Sequence, residues 1–508
     1  MKARDQQAPR TAVHPAATLA IILVCYFMIL LDNSVIFTAL PSLKASLDLS
    51  AGQLSWVQDA YTLVFGGLLL LGARAGDLLG RRRVFTAGLA VFSVASLLVG
   101  ISPAGWWAIA ARALQGVGAA VVAPSSLSLL TASFPEGRAR SRAVAWYGAT
   151  AGIGASLGLL IGGALTQWIS WRAGFFVNLP IGAVMIALAP RYLPETARSR
   201  GRFDLAGALT ATAGISLLVF SIINTTRAGW TAPVTLASIV AGLVLLALFT
   251  VNERRAAQPI LPLRLLASRE RAGAYLARFF YLAAMIGFFY FSTQFMQDVL
   301  GLSPLQAGLG FLPMTAVNFA VAMSIPRLIR QLGGTAPLVA GIALTLLGML
   351  WLSRLHAGSS YLTGLAAPMV LIGAGQGLAF APLTSAGIAG ASARDAGAAS
   401  GLVNTFHQVG MAFGLGILVA TAAHAGTGSA STAVRLAAQV SAALTAGSIL
   451  LALSLIAAVA LIVPAAAARR RHGTAARETR PRPEAASATR VSTSSGTAAD
   501  GRLEGAVR

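Results

Sequence analysis

Fourteen predominantly apolar stretches, each of about 20 residues and so long enough to cross a bilayer, constrain this chain more than any other feature. They lie at about 17–38, 53–72, 84–101, 105–132, 143–168, 173–190, 205–225, 233–251, 273–297, 305–325, 336–353, 362–386, 397–423 and 440–463. Backbone polar groups inside hydrocarbon must be satisfied within their own segment or in a closed barrel, so runs of this length are helices. The expected fold class is therefore all-α and polytopic. With 56% hydrophobic residues, 11% charged ones and a mean hydropathy of +0.73, a soluble domain is excluded. A net charge of +22 would point to nucleic acid in a soluble protein. Here the cations sit between apolar runs, so the expected partner is the lipid bilayer and nucleic acid is not one.

The cations also give a direction. One set of alternate segments holds Lys2, Arg4 and Arg10, then Arg74 and Arg81 to Arg83, then Arg138, Arg140 and Arg142, and continues in the same way through Arg394. The opposite set holds only Lys44, Arg172, Arg227, Arg354 and Arg435. That asymmetry expects both termini in the cytoplasm of a bacterial inner membrane. The first run lacks a small-residue cleavage site and reads as a retained span. Arg-rich stretches divide the chain into an N-terminal tail (1–16), a first six-helix bundle (17–193), two extra spans with flanking loops (194–272) and a second six-helix bundle (273–463). An Ala/Arg/Ser/Thr-rich tail (464–508) reads as disordered. The lone Cys25 rules out an internal disulfide and argues against a metal centre.

Ionisable groups inside spans are costly and are functional hypotheses by default. Asp32, Asp59 and Arg112 fall at one shared depth, about 8–12 Å below the same membrane face at 1.5 Å per residue. Two carboxylates tuned by a guanidinium could take and release a proton; a structural ion pair or snorkelling is the alternative. Arg278 is the other cation that falls within a span. Gln115, Gln294, Asn318, Gln376, Asn404, His407 and Gln408 are candidate polar points of a substrate cavity, the last three sharing one helix face by i, i+3, i+4 spacing. Gly154, Gly158 and Gly162 form an i, i+4, i+8 row, followed by Gly163, that lets another helix approach closely and slide, and the row is expected to set the approach of span five to the second bundle. The row also contains a G-x-S-x-G match, which has no strand before it and lies within a span, so it is not a hydrolase elbow. No G-x-x-x-x-G-K-[ST] occurs, so an ion gradient and not ATP is the expected energy source, with no cofactor.

Four motifs carry a family resemblance. Leu68–Phe85, LLLLGARAGDLLGRRRVF, resembles the loop between the second and third spans of the major facilitator superfamily. Asp32 opens a stretch ending in Ala39-Leu40-Pro41 that is similar to the first-span motif of its fourteen-span drug:proton antiporters. Arg112-Ala-Leu-Gln-Gly-Val-Gly-Ala-Ala resembles that branch's fourth-span motif, and Trp56-Val-Gln-Asp-Ala-Tyr its second-span opening. The resemblance implies two six-helix bundles plus two spans between them, working by alternating access as a monomer. It implies proton-coupled efflux of drugs, antibiotics or toxic metabolites, with proton coupling at Asp32, Asp59 and Arg112. It further implies an inner gate of Gly72, Asp77, Gly80, Arg81 and Arg83, with Asp77 facing the start of span thirteen near Gly397. Arg82 is read as simple anchoring. Span five departs from the antiporter motif, since Leu159 stands where the motif has proline; an exporter of a self-made metabolite or a transporter of reversed direction is the alternative. A membrane sensor or enzyme is disfavoured, because no span or loop gathers a nucleophile–base pair or ligand cluster.

Overall fold

The computed structural model describes residues 14–195, 198, 201, 203–256, 259–392, 395–428 and 431–469. The spans are α1 (Pro15–Leu47), α2 (Ala51–Leu79), α3 (Arg81–Gly100), α4 (Gly105–Ser133), α5 (Arg138–Trp168), α6 (Ala173–Tyr192), α7 (Leu205–Ala228) and α8 (Pro233–Arg255). There follow α9 (Arg269–Val299), α10 (Pro304–Leu332), α11 (Thr335–Leu352), α12 (Tyr361–Gly387), α13 (Ala396–Ala423) and α14 (Thr432–Ala457, then a π-helical turn Ala458–Ile462). Thirteen are long and apolar enough to cross a membrane, and α5, at 31 residues, is the fourteenth. No strand occurs among the described residues.

Most ends fall near the expected ones, but α1 does not stop with its apolar run. It continues nine residues past Thr38, through Pro41, to a left-handed Asp48 that caps it by donating its backbone N–H to the Lys44 carbonyl. The proline is tolerated there because it costs one ladder hydrogen bond near a helix end. Residues 464–469 are helical where the start of a disordered tail is expected, since an alanine run extends a helix readily. The remainder of that tail, 470–508, and residues 1–13 lie outside the described residues.

α1–α6 and α9–α14 form the two bundles. Within each, the closest helix pairs are α2 with α4, α3 with α4 and α1 with α5, then α11 with α12, α9 with α13 and α9 with α14. The bundles meet in two places. α2 lies along α13, where a side chain on Gly66 would run into Gln408. At the membrane face where α1 ends, called here the far side, the ends of α1 and α5 close on α9 and α10. Gln297 Nε2 donates to the Thr38 carbonyl at 3.0 Å, Phe37 stacks on Phe289 at 5.4 Å, and the Leu305 N–H donates to Gln167 at 3.3 Å.

α7 and α8 pair with each other, and α7 wedges into the seam between α2 and α13. Val219 and Ile223 of α7 pack with Leu63 of α2 and Ala412 of α13, and Trp56 leans on Phe220. This wedge is legible only in the contacts, since no sequence motif in α7 or α8 marks the helices they pack against.

The glycine row of α5 packs differently from its expected role. Added Cβ atoms on Gly154, Gly158 and Gly162 would meet Leu30, Ser34 and Val35 of α1, all in the same bundle. Gly163, turned about 100° from Gly162 on the helical wheel, is the one that faces the other bundle, at Pro304 and Leu305 of α10. Gly308 returns the contact against the Leu159 carbonyl. One stripe of a helix can serve one neighbour only, so the row fixes α1 to α5 and does not set the distance between bundles.

Candidate functional site

Asp32 lies 17 residues into α1, and the buried Arg112 lies seven residues into α4. Arg112 donates from one terminal nitrogen to Asp32 Oδ2 at 2.7 Å and to Gln115 Oε1 at 2.7 Å, and from Nε to the Val57 carbonyl at 3.1 Å. The second Asp32 oxygen accepts from Gln115 Nε2 at 2.7 Å and Asn178 Nδ2 at 2.8 Å. Both amides also reach Ser96 Oγ, at 2.8 and 3.2 Å, and Ser96 donates to the Phe92 carbonyl. The Tyr61 ring covers the guanidinium at 4.2 Å. Asp32, Arg112, Gln115, Asn178 and Ser96 are all fully buried. Close approach is possible because Gly116 presses on the Tyr61 carbonyl and Gly118 on the Phe92 backbone, drawing α4 onto α2 and α3.

The expected triad is therefore a pair. Asp59 is equally buried, yet neither of its oxygens has a hydrogen-bond partner. It lies eight residues from the far-side end of α2, about 12 Å, close to the depth of Arg112 seven residues into α4, so it differs from the pair in the helix face it occupies. Gln115 belongs to the pair's network and does not line a cavity. Asn178 and Ser96 are missed by sequence reasoning: neutral residues in apolar runs carry no signal until α3 and α6 are placed beside α1.

The second bundle holds another buried polar centre. Arg278 of α9 is 3% exposed. It donates to Thr384 Oγ1 of α12 at 2.8 Å and to His407 Nδ1 of α13 at 3.1 Å, and lies over the Phe380 ring at 4.3 Å. His407 is thus turned toward its own bundle, Gln408 toward Gly66 of α2, and Asn404 is exposed, donating back to the Ser400 carbonyl. One helix face splits three ways because α13 sits between α9 and α2. Gln294 donates to the Tyr290 carbonyl, Gln376 Oε1 is buried without a partner, and Asn318 is half-buried where α10 passes Gly377 of α12.

At the near side, Gly80 (φ 102°) turns the chain from α2 into α3. Arg81 pairs with Asp77 at 3.0 Å and donates to the Ser128 carbonyl of α4 at 3.2 Å. Gly72 lets α2 touch the Ala120 carbonyl. Arg82, expected only as an anchor, donates to the Pro190 and Leu193 carbonyls at 3.1 and 3.2 Å, and Glu195 lies against both Arg82 and Arg83 at 3.6 and 3.7 Å. That partner is remote in sequence, so nothing local betrays it. A side chain on Gly397, at the start of α13, would meet nothing within 4 Å. Also on this side, Asp395 pairs with Arg264 at 2.6 Å, and the hydrogen bond and neighbouring charge raise the guanidinium above its ordinary value.

Two helical bundles that meet along a seam, each with a buried polar centre, define a membrane transporter. A profile of the Major Facilitator Superfamily matches residues 22–415, and the chain belongs to that family. It is 42% identical over 427 residues to the cephamycin export protein CmcT of Amycolatopsis lactamdurans, covering 83% of this chain and 88% of that one. It is 38% identical over 406 residues to the puromycin resistance protein pur8 of Streptomyces alboniger, covering 79% and 80%. Among solved structures, a bacterial homologue of the lysosomal transporter Spinster, in an inward-facing, unoccupied conformation, aligns with TM-score 0.63 over 89% of this chain and 98% of that one at 15% identity, a likeness of fold.

Proposed function

We propose that this transporter exports an organic compound in exchange for protons, with the near side cytoplasmic and the chain acting as a monomer. The observation that carries the reading is the Asp32–Arg112 pair: one carboxylate and one guanidinium, fully buried and mutually neutralised. Protonating Asp32 removes one charge of the pair and frees Arg112, and so couples a proton to the packing of α1 against α4. Export and resistance proteins among the relatives support the direction. The moving bodies are residues 17–193 and 273–463, rocking so that the far-side contacts open as the near side closes. Asp59, near the far side, is where a proton enters. Gln294, Asn318, Gln376, Asn404, His407 and Gln408 contribute to the substrate path.

Everted membrane vesicles test the reading. Substrate should accumulate when the vesicle interior is acidified and leak out when a protonophore collapses the gradient. Equal accumulation with and without the gradient would rule proton coupling out.

In the same reading Asp77, Gly72, Gly80, Arg81 and Arg83 form the near-side gate, closing when Asp77 meets the positive end of α13. Asp77→Ala then slows transport about tenfold or more, the scale of a lost charge-assisted contact, and leaves equilibrium binding in detergent unchanged. A comparable loss of affinity would assign Asp77 to the substrate instead.

A further inference from the structure

Arg278 has no counter-charge. Among the described residues no carboxylate lies within ion-pair distance of it, and its Nε has no hydrogen-bond partner at all. Its bundle cannot supply one, because the acids of α9 to α14 are Glu270, eight residues or about 12 Å from Arg278 along α9, Asp298, exposed at the far-side end of α9, and Asp395, held by Arg264. In the first bundle Asp32 is already neutralised by Arg112. Asp59 lies within electrostatic range of Tyr290, which is 12 residues or about 18 Å along α9 from Arg278. Guanidinium groups buried with neutral acceptors only are costly unless something charged arrives to complete them.

The surroundings are built for an arriving ligand. Tyr26 of α1, whose ring stacks on Tyr147 of α5 at 3.9 Å, lies within electrostatic range of Arg278 from the opposite bundle. Phe380, Thr384 and His407, which touch the buried cation, and Tyr26 and Tyr147 of the opposite bundle are each partly exposed. Since an arginine only donates, His407 Nδ1 accepts from it, which leaves the imidazole's other nitrogen to donate. A guanidinium and an imidazole donor in one bundle, with a tyrosine pair in the other, suit a flat apolar body carrying one anionic group.

We infer that the transported compound is an amphipathic organic acid whose carboxylate docks on Arg278, with His407 as a second donor and its apolar body against the Tyr26–Tyr147 stack. This rests on the export reading and adds the substrate's charge. Binding of substrate would then span the two bundles, as a ligand that drives their rocking must.

The full-length protein in nanodiscs can be probed with 1-pyrenebutyrate, its methyl ester and 1-pyrenebutylamine, read by energy transfer from tryptophan. The acid should bind about tenfold or more tighter than the ester, the low end of a charge-assisted hydrogen bond. Arg278→Gln should bring that ratio close to unity while binding of the ester and the melting temperature stay near wild type, and Arg278→Lys should retain part of it. A merely structural arginine would lower binding of all three probes together. Retention of the preference in Arg278→Gln, or a wild-type protein that binds the acid no better than the ester or binds none of the three, overturns the inference. Gradient-driven movement of the ester in everted vesicles is scored separately. If it occurs without any acid preference, only the substrate's charge is wrong; an acid preference without gradient-driven movement counts against the export reading alone.

Discussion

Asp32→Asn should abolish gradient-driven transport and destabilise the folded protein. The substitution keeps the shape of the side chain but leaves Arg112 as an uncompensated cation in a site with no exposure to solvent. Breaking a buried pair from one side costs about 3–5 kcal/mol, mostly for the orphaned charge. The fall in melting temperature in nanodiscs measures that cost. A second variant separates structure from coupling: in Asp32→Asn/Arg112→Gln no charge is left unpaired, and Gln115, Asn178 and Ser96 can still bond the amides. Stability should largely return, while proton-driven accumulation should not. Recovery of coupled transport by the double variant would remove the pair from the mechanism.

The second large effect concerns two glycines five residues apart. Gly163→Leu places a branched side chain against the backbone of Pro304 and Leu305 in the other bundle. The expected protein is folded, fails to close its far side and does not transport. Impermeant maleimide reports this at a cysteine introduced at Phe37, whose ring packs on Phe289 across the far-side contact, in a Cys25→Ser background. Labelling should rise in the Gly163→Leu variant. Gly158→Leu instead drives into Ser34 and the Leu31 carbonyl of α1, within one bundle. Overpacking of that kind costs about 1–3 kcal/mol or more, and it should appear as reduced yield of folded protein with unchanged labelling. Exchange of the two phenotypes would show that the helix faces are misassigned.

These contrasts also mark where sequence reasoning stops. Hydropathy and charge alternation read all fourteen helices, because length and polarity decide membrane insertion one segment at a time. Asp32 and Arg112 were legible as a pair since their motifs place them at similar depth. Depth does not give azimuth, however, and so depth alone groups Asp59 with them although it makes no hydrogen bond or ion pair with either. The same gap misdirected the glycine row: periodicity reveals a stripe of small residues but not the neighbour it faces. Arg278 was visible as an intramembrane cation, and its significance emerged only when the carboxylates were shown to be elsewhere. Glu195, Asn178 and Ser96 are partners across long sequence separations, set by helix packing and by no local pattern.

The wedge made by α7 has a mechanical consequence. A helix seated on α2 and α13 at once, through Val219, Ile223 and Phe220, behaves as the pin of a door. In the proposed rocking the bundles swing about that edge, and they cannot part along it without exposing the pin's own apolar contacts. Opening is then one-sided, widest at the edge where α5 meets α10, and lipid tails are shut out on the pinned side. A lipophilic compound leaving the bilayer would have a single doorway into the protein, beside the glycine at position 163.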